Sequence, residues 1–236
     1  MQTTSPLNES LTQEKPAAAP AARALRRVTD APTRMFHWLF ALSFLGAYVT
    51  ADGERFRLLH VTLGYTMVGL LAFRLLYGWL GPSQLGLGVL WRKVSSAPRW
   101  LATALRARSL GEVNWRQGQN LLMAGSVAAL LLLVIPLTLS GHATYQEWGD
   151  ILGVTLGGEW LEELHEFFGE GLLMVVLAHV GLILALSVLR RKNQALPMLT
   201  GCAEGPGPSL IKANRAWLAA LLLLAVVAFG VWMLRG

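Results

Sequence analysis

Charge is what this sequence has least of. Of its 236 residues 14% are Asp, Glu, Lys or Arg, against 54% hydrophobic, a balance foreign to a water-soluble domain of this length. Cysteine is almost missing too. Cys202 stands alone, which excludes an intramolecular disulfide and a thiolate metal cluster and leaves a free, inert thiol. No repeat of fixed period runs through the chain, which excludes a solenoid. Histidine is scarce as well, with five in the whole sequence.

What is present in excess is long apolar runs. A hydrocarbon layer of about 30 Å needs about 20 helical residues to cross it. Five runs of that order lie near 34–52, 58–80, 117–141, 163–190 and 213–234. In a bilayer such segments must be helices, because no water is there to satisfy an open backbone. The expectation is an all-α integral membrane protein. Pro136 lies inside the third run and should kink it. Trp38, Trp79, Trp160, Trp217 and Trp232 fall near run ends, as an aromatic belt would place them.

The net charge of +6 does not point to nucleic acid, because of where it sits. Sixteen of the twenty basic residues lie before the first run, between the second and third, or between the fourth and fifth. The third connection and the start of the fourth run hold Glu147, Asp150, Glu159, Glu162, Glu163, Glu166 and Glu170, with no Lys or Arg. The positive-inside rule then places the N-terminus in the cytoplasm and the C-terminus outside. Residues 1–29, rich in Ala, Pro, Ser and Thr, read as a disordered cytoplasmic tail. A membrane domain follows over 30–201, and a loop with an additional helix over 202–236. VTADG at 49–53 loosely resembles a signal-peptidase site, but the long tail and His37 argue against a cleaved leader. In the second connection, APRWLATALRARSL reads either as an amphipathic helix on the inner membrane surface, opened by Pro98, or as a solvated basic loop.

Four of the five histidines, His37, His60, His165 and His179, lie in or at the ends of apolar runs. An ionisable group in a span is costly and is a functional hypothesis by default. Each alone could be a neutral imidazole bonded to a carbonyl. Their heights argue jointly. His165 and His179, fourteen residues apart, share one helix face at opposite sides of the membrane, about 21 Å apart. With alternating helices, His37 pairs in height with His179 on the inner side and His60 with His165 on the outer. Two imidazoles at each of two levels suit axial ligation of two haems, whereas zinc wants three or four clustered ligands.

Neighbouring residues fit that reading. Gly64 and Gly169 follow His60 and His165 by four residues. They leave room for a flat macrocycle or, alternatively, for close helix contact. Arg74, fourteen residues after His60, would meet a haem propionate at the inner level, or else snorkel to the interface. Arg34 and Arg57, each three residues before a ligand candidate, could serve likewise. His142 reads as a surface histidine, with proton transfer or quinol binding as the alternative.

At these residues the chain resembles the prokaryotic cytochrome b-561 family, which includes the b-type cytochrome subunits of nickel–iron hydrogenases. PTRMFHWLF, LLHVTLGY, LAFRLLYGWLGP, LHEFFGE and LAHVGL carry the resemblance, over about residues 28–201. It implies a four-helix transmembrane bundle with two haem b groups in the bacterial inner membrane, and His37, His60, His165 and His179 match the motif histidines. It also implies electron exchange with the quinone pool. GQNL at 118–121 departs from the Gly-His-Asn-Pro-like segment of hydrogenase-type members, and the fifth helix exceeds the four-helix core.

Three functions compete. The first is a di-haem protein linking quinone to a periplasmic redox partner, such as a c-type cytochrome or an enzyme subunit. The second is the membrane anchor of a larger oxidoreductase. The third is a transporter or structural membrane protein without haem. Whether the chain is itself an enzyme stays open.

Overall fold

Helix boundaries follow local chemistry. Asp30 caps the first long helix by accepting from the Thr33 amide, and Pro32 sits in its first turn, where a missing N–H costs nothing. Asn114 caps the third long helix by accepting from Gln117. The computed structural model describes residues 25–148 and 159–235. In chain order these form β1 (Leu25–Arg27), α1 (Ala31–Val49), α2 (Arg57–Leu80), α3 (Leu87–Val94), α4 (Ala97–Arg106), α5 (Trp115–Tyr145), α6 (Glu159–Arg190), α7 (Leu196–Thr200), β2 (Cys202–Glu204) and α8 (Ala216–Arg235).

Among the described residues four helices are long and apolar enough to cross a membrane: α2 with its lead-in turn from Glu54, α5, α6 and α8. The chain is thus a multi-pass helical membrane protein. The fifth expected span corresponds to α1, which is 19 residues long and is not one of these four. Its first turns spend positions on Thr33, Arg34 and His37, so its apolar stretch is shorter. α5 and α6 form the largest helix pair, α1 packs on α2, α2 touches α5, and α8 lies against both α1 and α2. The outward faces carry large apolar side chains, for example Leu132, Leu184, Val188 and Leu224, each more than 60% exposed. Such a surface belongs against lipid.

Two expectations need adjustment. The stretch 1–29 does not read as tail to its end, since Leu25–Arg27 pair antiparallel with Cys202–Glu204. Thr29 is buried there, and residues 1–24 lie outside the described ones. This pairing also crosses the expected boundary at 201/202. The second connection holds two amphipathic helices rather than one: α4 begins at Ala97 with Pro98 in its first turn, and α3 precedes it. α5 carries Pro136 inside its span. Asp150 lies outside the described residues.

Between the two histidine heights sits an apolar layer of Phe44, Met67, Leu71, Val134, Leu137 and Leu172. Three of these are seven residues from a histidine: Phe44 after His37, Met67 after His60, and Leu172 midway between His165 and His179. Seven residues are about two turns, or roughly 10 Å. Because these midpoints meet in one cluster, α1, α2 and α6 stand in register.

Candidate functional site

His60 and His165 face one another. Their ring centroids are 5.9 Å apart and their planes cross at 84°. Each ring is oriented by a backbone carbonyl. His60 Nδ1 lies 2.8 Å from the Ala47 oxygen of α1, and His165 Nδ1 lies 2.9 Å from the Leu137 oxygen of α5. A carbonyl only accepts, so Nδ1 carries the proton in both and Nε2 keeps its lone pair. The Ser140 hydroxyl donates to the same Leu137 carbonyl and to that of Pro136, so the Leu137 oxygen is shared between a serine of its own helix and His165.

Gly141 makes the seat for His165. A Cβ at this position would stand 2.6 Å from His165 Cε1 and 2.9 Å from Nδ1, so no side chain fits without moving the imidazole.

The two rings line a cavity of about 750 Å³, within the range of cofactor sites. Gly64 and Gly169 also line it. A Cβ at Gly64 would meet nothing within 4 Å, and one at Gly169 only Leu137 Cδ1 at 3.9 Å. These glycines therefore face open space and do not serve close helix packing. The rim carries Asp52, Glu54, Glu162, Glu166 and Glu170 against the single guanidinium of Arg57, which lies over the Tyr145 ring at 5.8 Å. His142 differs from the surface histidine expected. Its Nδ1 is 2.8 Å from the Tyr65 hydroxyl, its ring meets Trp148 edge-on, and both His142 and Tyr65 line the cavity.

His37 and His179 are near enough to interact electrostatically. His179 Nδ1 lies 3.0 Å from Ser126 Oγ on α5. The Ser126 hydroxyl donates to the Met123 carbonyl, so its oxygen accepts the imidazole proton and Nε2 is again the free nitrogen. His37 Nδ1 is buried and has no hydrogen-bond partner.

Beside this level, Arg74 donates from Nη2 to the Leu85 carbonyl, while its Nη1 is buried without a partner. Arg34 donates to the Leu199 carbonyl from Nη1, and its Nε is likewise buried and unpartnered. A buried guanidinium with an orphaned N–H is suited to an anion. Asp30, a fully buried carboxylate that acts electrostatically on Arg74, accepts from the Tyr77 hydroxyl and pairs with Arg215 at 3.7 Å.

The donor set fits haem. Two metal–nitrogen bonds of about 2 Å each, plus two half-rings, separate imidazole centroids by roughly 6 Å, as at His60 and His165. Nδ1 anchoring of the kind seen at three of the four histidines is what orients metal-ligating imidazoles. Among the described residues no group of three or more His, Cys, Asp or Glu is placed to hold a metal ion.

Sequence reasoning missed Ser126, Ser140, Gly141 and Asp30. The capping position of Asp30 before Ala-Pro-Thr was a readable signal; the other three look like ordinary small residues of an apolar helix. The family described as prokaryotic cytochrome b561 matches residues 28–201. No curated protein and no solved structure matches the chain.

Proposed function

The chain belongs to the prokaryotic cytochrome b561 family, membrane b-type cytochromes of electron transfer, and from that premise we propose that it is a di-haem protein moving electrons between quinone and a redox partner outside the membrane. The observation that carries the reading is that His60 faces His165 while His37 lies near His179, with Nε2 free at His60, His165 and His179. Haem would supply a one-electron ferric–ferrous couple at each height. His60 and His165 would ligate the outer one, and His37 and His179 the inner. Gly64 and Gly169 leave the flat space a macrocycle needs. The orphaned N–H groups of Arg74 and Arg34 would meet inner propionates, and Arg57 would meet those of the outer haem. The layer around Phe44, Met67 and Leu172 keeps water from the path between the two heights.

The same reading places the protein in the bacterial inner membrane, with its N-terminus cytoplasmic and C-terminus periplasmic. The acidic rim would then face the periplasm, where it suits a basic docking face on a c-type cytochrome or an enzyme subunit.

The test is an absorption spectrum and haem content per polypeptide. Two low-spin haems are expected. His37→Ala and His179→Ala should lose the same one, and His60→Ala and His165→Ala the other. Absence of reduced b-type bands in the purified protein sinks the reading; loss of one haem by His37→Ala and His165→Ala together would refute the pairing.

A further inference from the structure

The two levels are not chemically equivalent. At the His60 level both imidazoles give their Nδ1 proton to backbone carbonyls, Ala47 and Leu137, at 2.8 and 2.9 Å. At the His37 level one gives it to a hydroxyl, Ser126 Oγ at 3.0 Å, and the other has no partner. A peptide carbonyl is a stronger acceptor than an alcohol oxygen. The stronger the pull on Nδ1–H, the more electron-rich the ligating Nε2 becomes and the better it stabilises the ferric state.

Fixed charge adds to this difference. Five carboxylates and one guanidinium line the cavity at the His60 level, and Glu162 is close enough to act on His165. At the other level Arg74 and Arg34 each hold a buried, unpartnered N–H, and the carboxylate of Asp30 is shared with Arg215 and Tyr77. Negative charge near an iron favours its ferric form, and positive charge the ferrous form.

Resting on the di-haem reading above, we infer that the His60–His165 centre has the lower reduction potential and the His37–His179 centre the higher, with Ser126 as the positioning residue that tunes the latter. In the singly reduced protein the electron leaves the outer ferrous centre, which becomes ferric. It reduces the inner ferric centre to ferrous, with no bond made or broken. Electrons entering from the outside therefore run inward without further driving force.

Spectroelectrochemistry of the purified holoprotein tests this. Two resolved one-electron steps are expected. Ser126→Ala removes the acceptor from His179 and should raise the upper step only, by about threefold to tenfold in the ferric–ferrous ratio at fixed potential; tenfold is about 59 mV for one electron. Ser126→Thr keeps a hydroxyl and should restore the wild-type value. The paired change Glu162→Gln with Glu170→Gln should raise the lower step only. A single step for both haems overturns the inference, as does a lower step that follows Ser126→Ala. Either result leaves two haems bound and the parent reading intact, whereas a protein without haem sinks both.

Discussion

At the His37 end the bundle is tied together by polar side chains and by a backbone strap; at the His60 end the helices part around a cavity. The strap is the β1–β2 pair, extended by Val28 and Thr29 amides on the Gly201 carbonyl and by the Ala31 amide on Asn214. Gly201 closes α7 in a left-handed conformation, φ 84°, where any side chain would be strained. Arg190 spans from α6 to Gln119 and Asn120 of α5, so the GQNL segment serves to join two helices. Asp30 joins α1 to α2 through Tyr77 and to the start of α8 through Arg215. The His60 level is bridged differently, by His60 on the Ala47 carbonyl, His165 on the Leu137 carbonyl, Tyr65 on His142 and Arg57 over Tyr145, all of them residues that line the cavity. The contrast teaches that one end carries the register of the bundle and leaves the other free to hold open space.

Substitutions can break that contrast. The largest effect is expected at the open end from Gly64→Phe. The backbone has room for it, so helical content should persist by circular dichroism while the ring fills the cavity and the outer haem is lost. Gly141→Ala should also lose the outer haem, by displacing His165, although alanine favours a helix over glycine by about 1 kcal/mol. A Gly141→Ala protein with full haem content would show that His165 has another resting place.

At the tied end Asp30→Ala removes a helix cap and leaves the Tyr77 hydroxyl and Arg215 without their buried partner. It should cost about 3 kcal/mol, read as a lowered Tm in detergent. An unchanged Tm would mean that the strap alone holds this end. A smaller effect is expected from Arg74→Leu, which should perturb the potential or occupancy of the inner haem and leave the outer one nearly unaffected. Smallest is neutralisation of Glu159, Glu162 and Glu163. It should slow exchange with a basic external partner, most at low ionic strength where screening is weak; a rate blind to both salt and substitution rules out docking at this rim.

The sequence by itself determined the class of the molecule and the heights of its histidines. Long apolar runs dictate helices in lipid whatever their neighbours do, and 1.5 Å per residue turns a fourteen-residue spacing into a distance. Motif residues were legible for the same reason: His60, His165 and His179 are conspicuous in stretches that should carry no ionisable group. What only the tertiary structure decided is which atoms hold those side chains. The Ala47 and Leu137 carbonyls that orient His60 and His165 belong to residues with featureless side chains, on other helices, thirteen and twenty-eight positions away. Ser126 and Gly141 matter through a contact across the α5–α6 pair, which no local pattern encodes. The β1–β2 strap joins segments almost 180 residues apart and is too short to leave a periodic signal. Spacing along a helix is a one-dimensional quantity and can be read from the chain; a hydrogen bond between helices depends on the rotation of each about its axis, which packing alone sets.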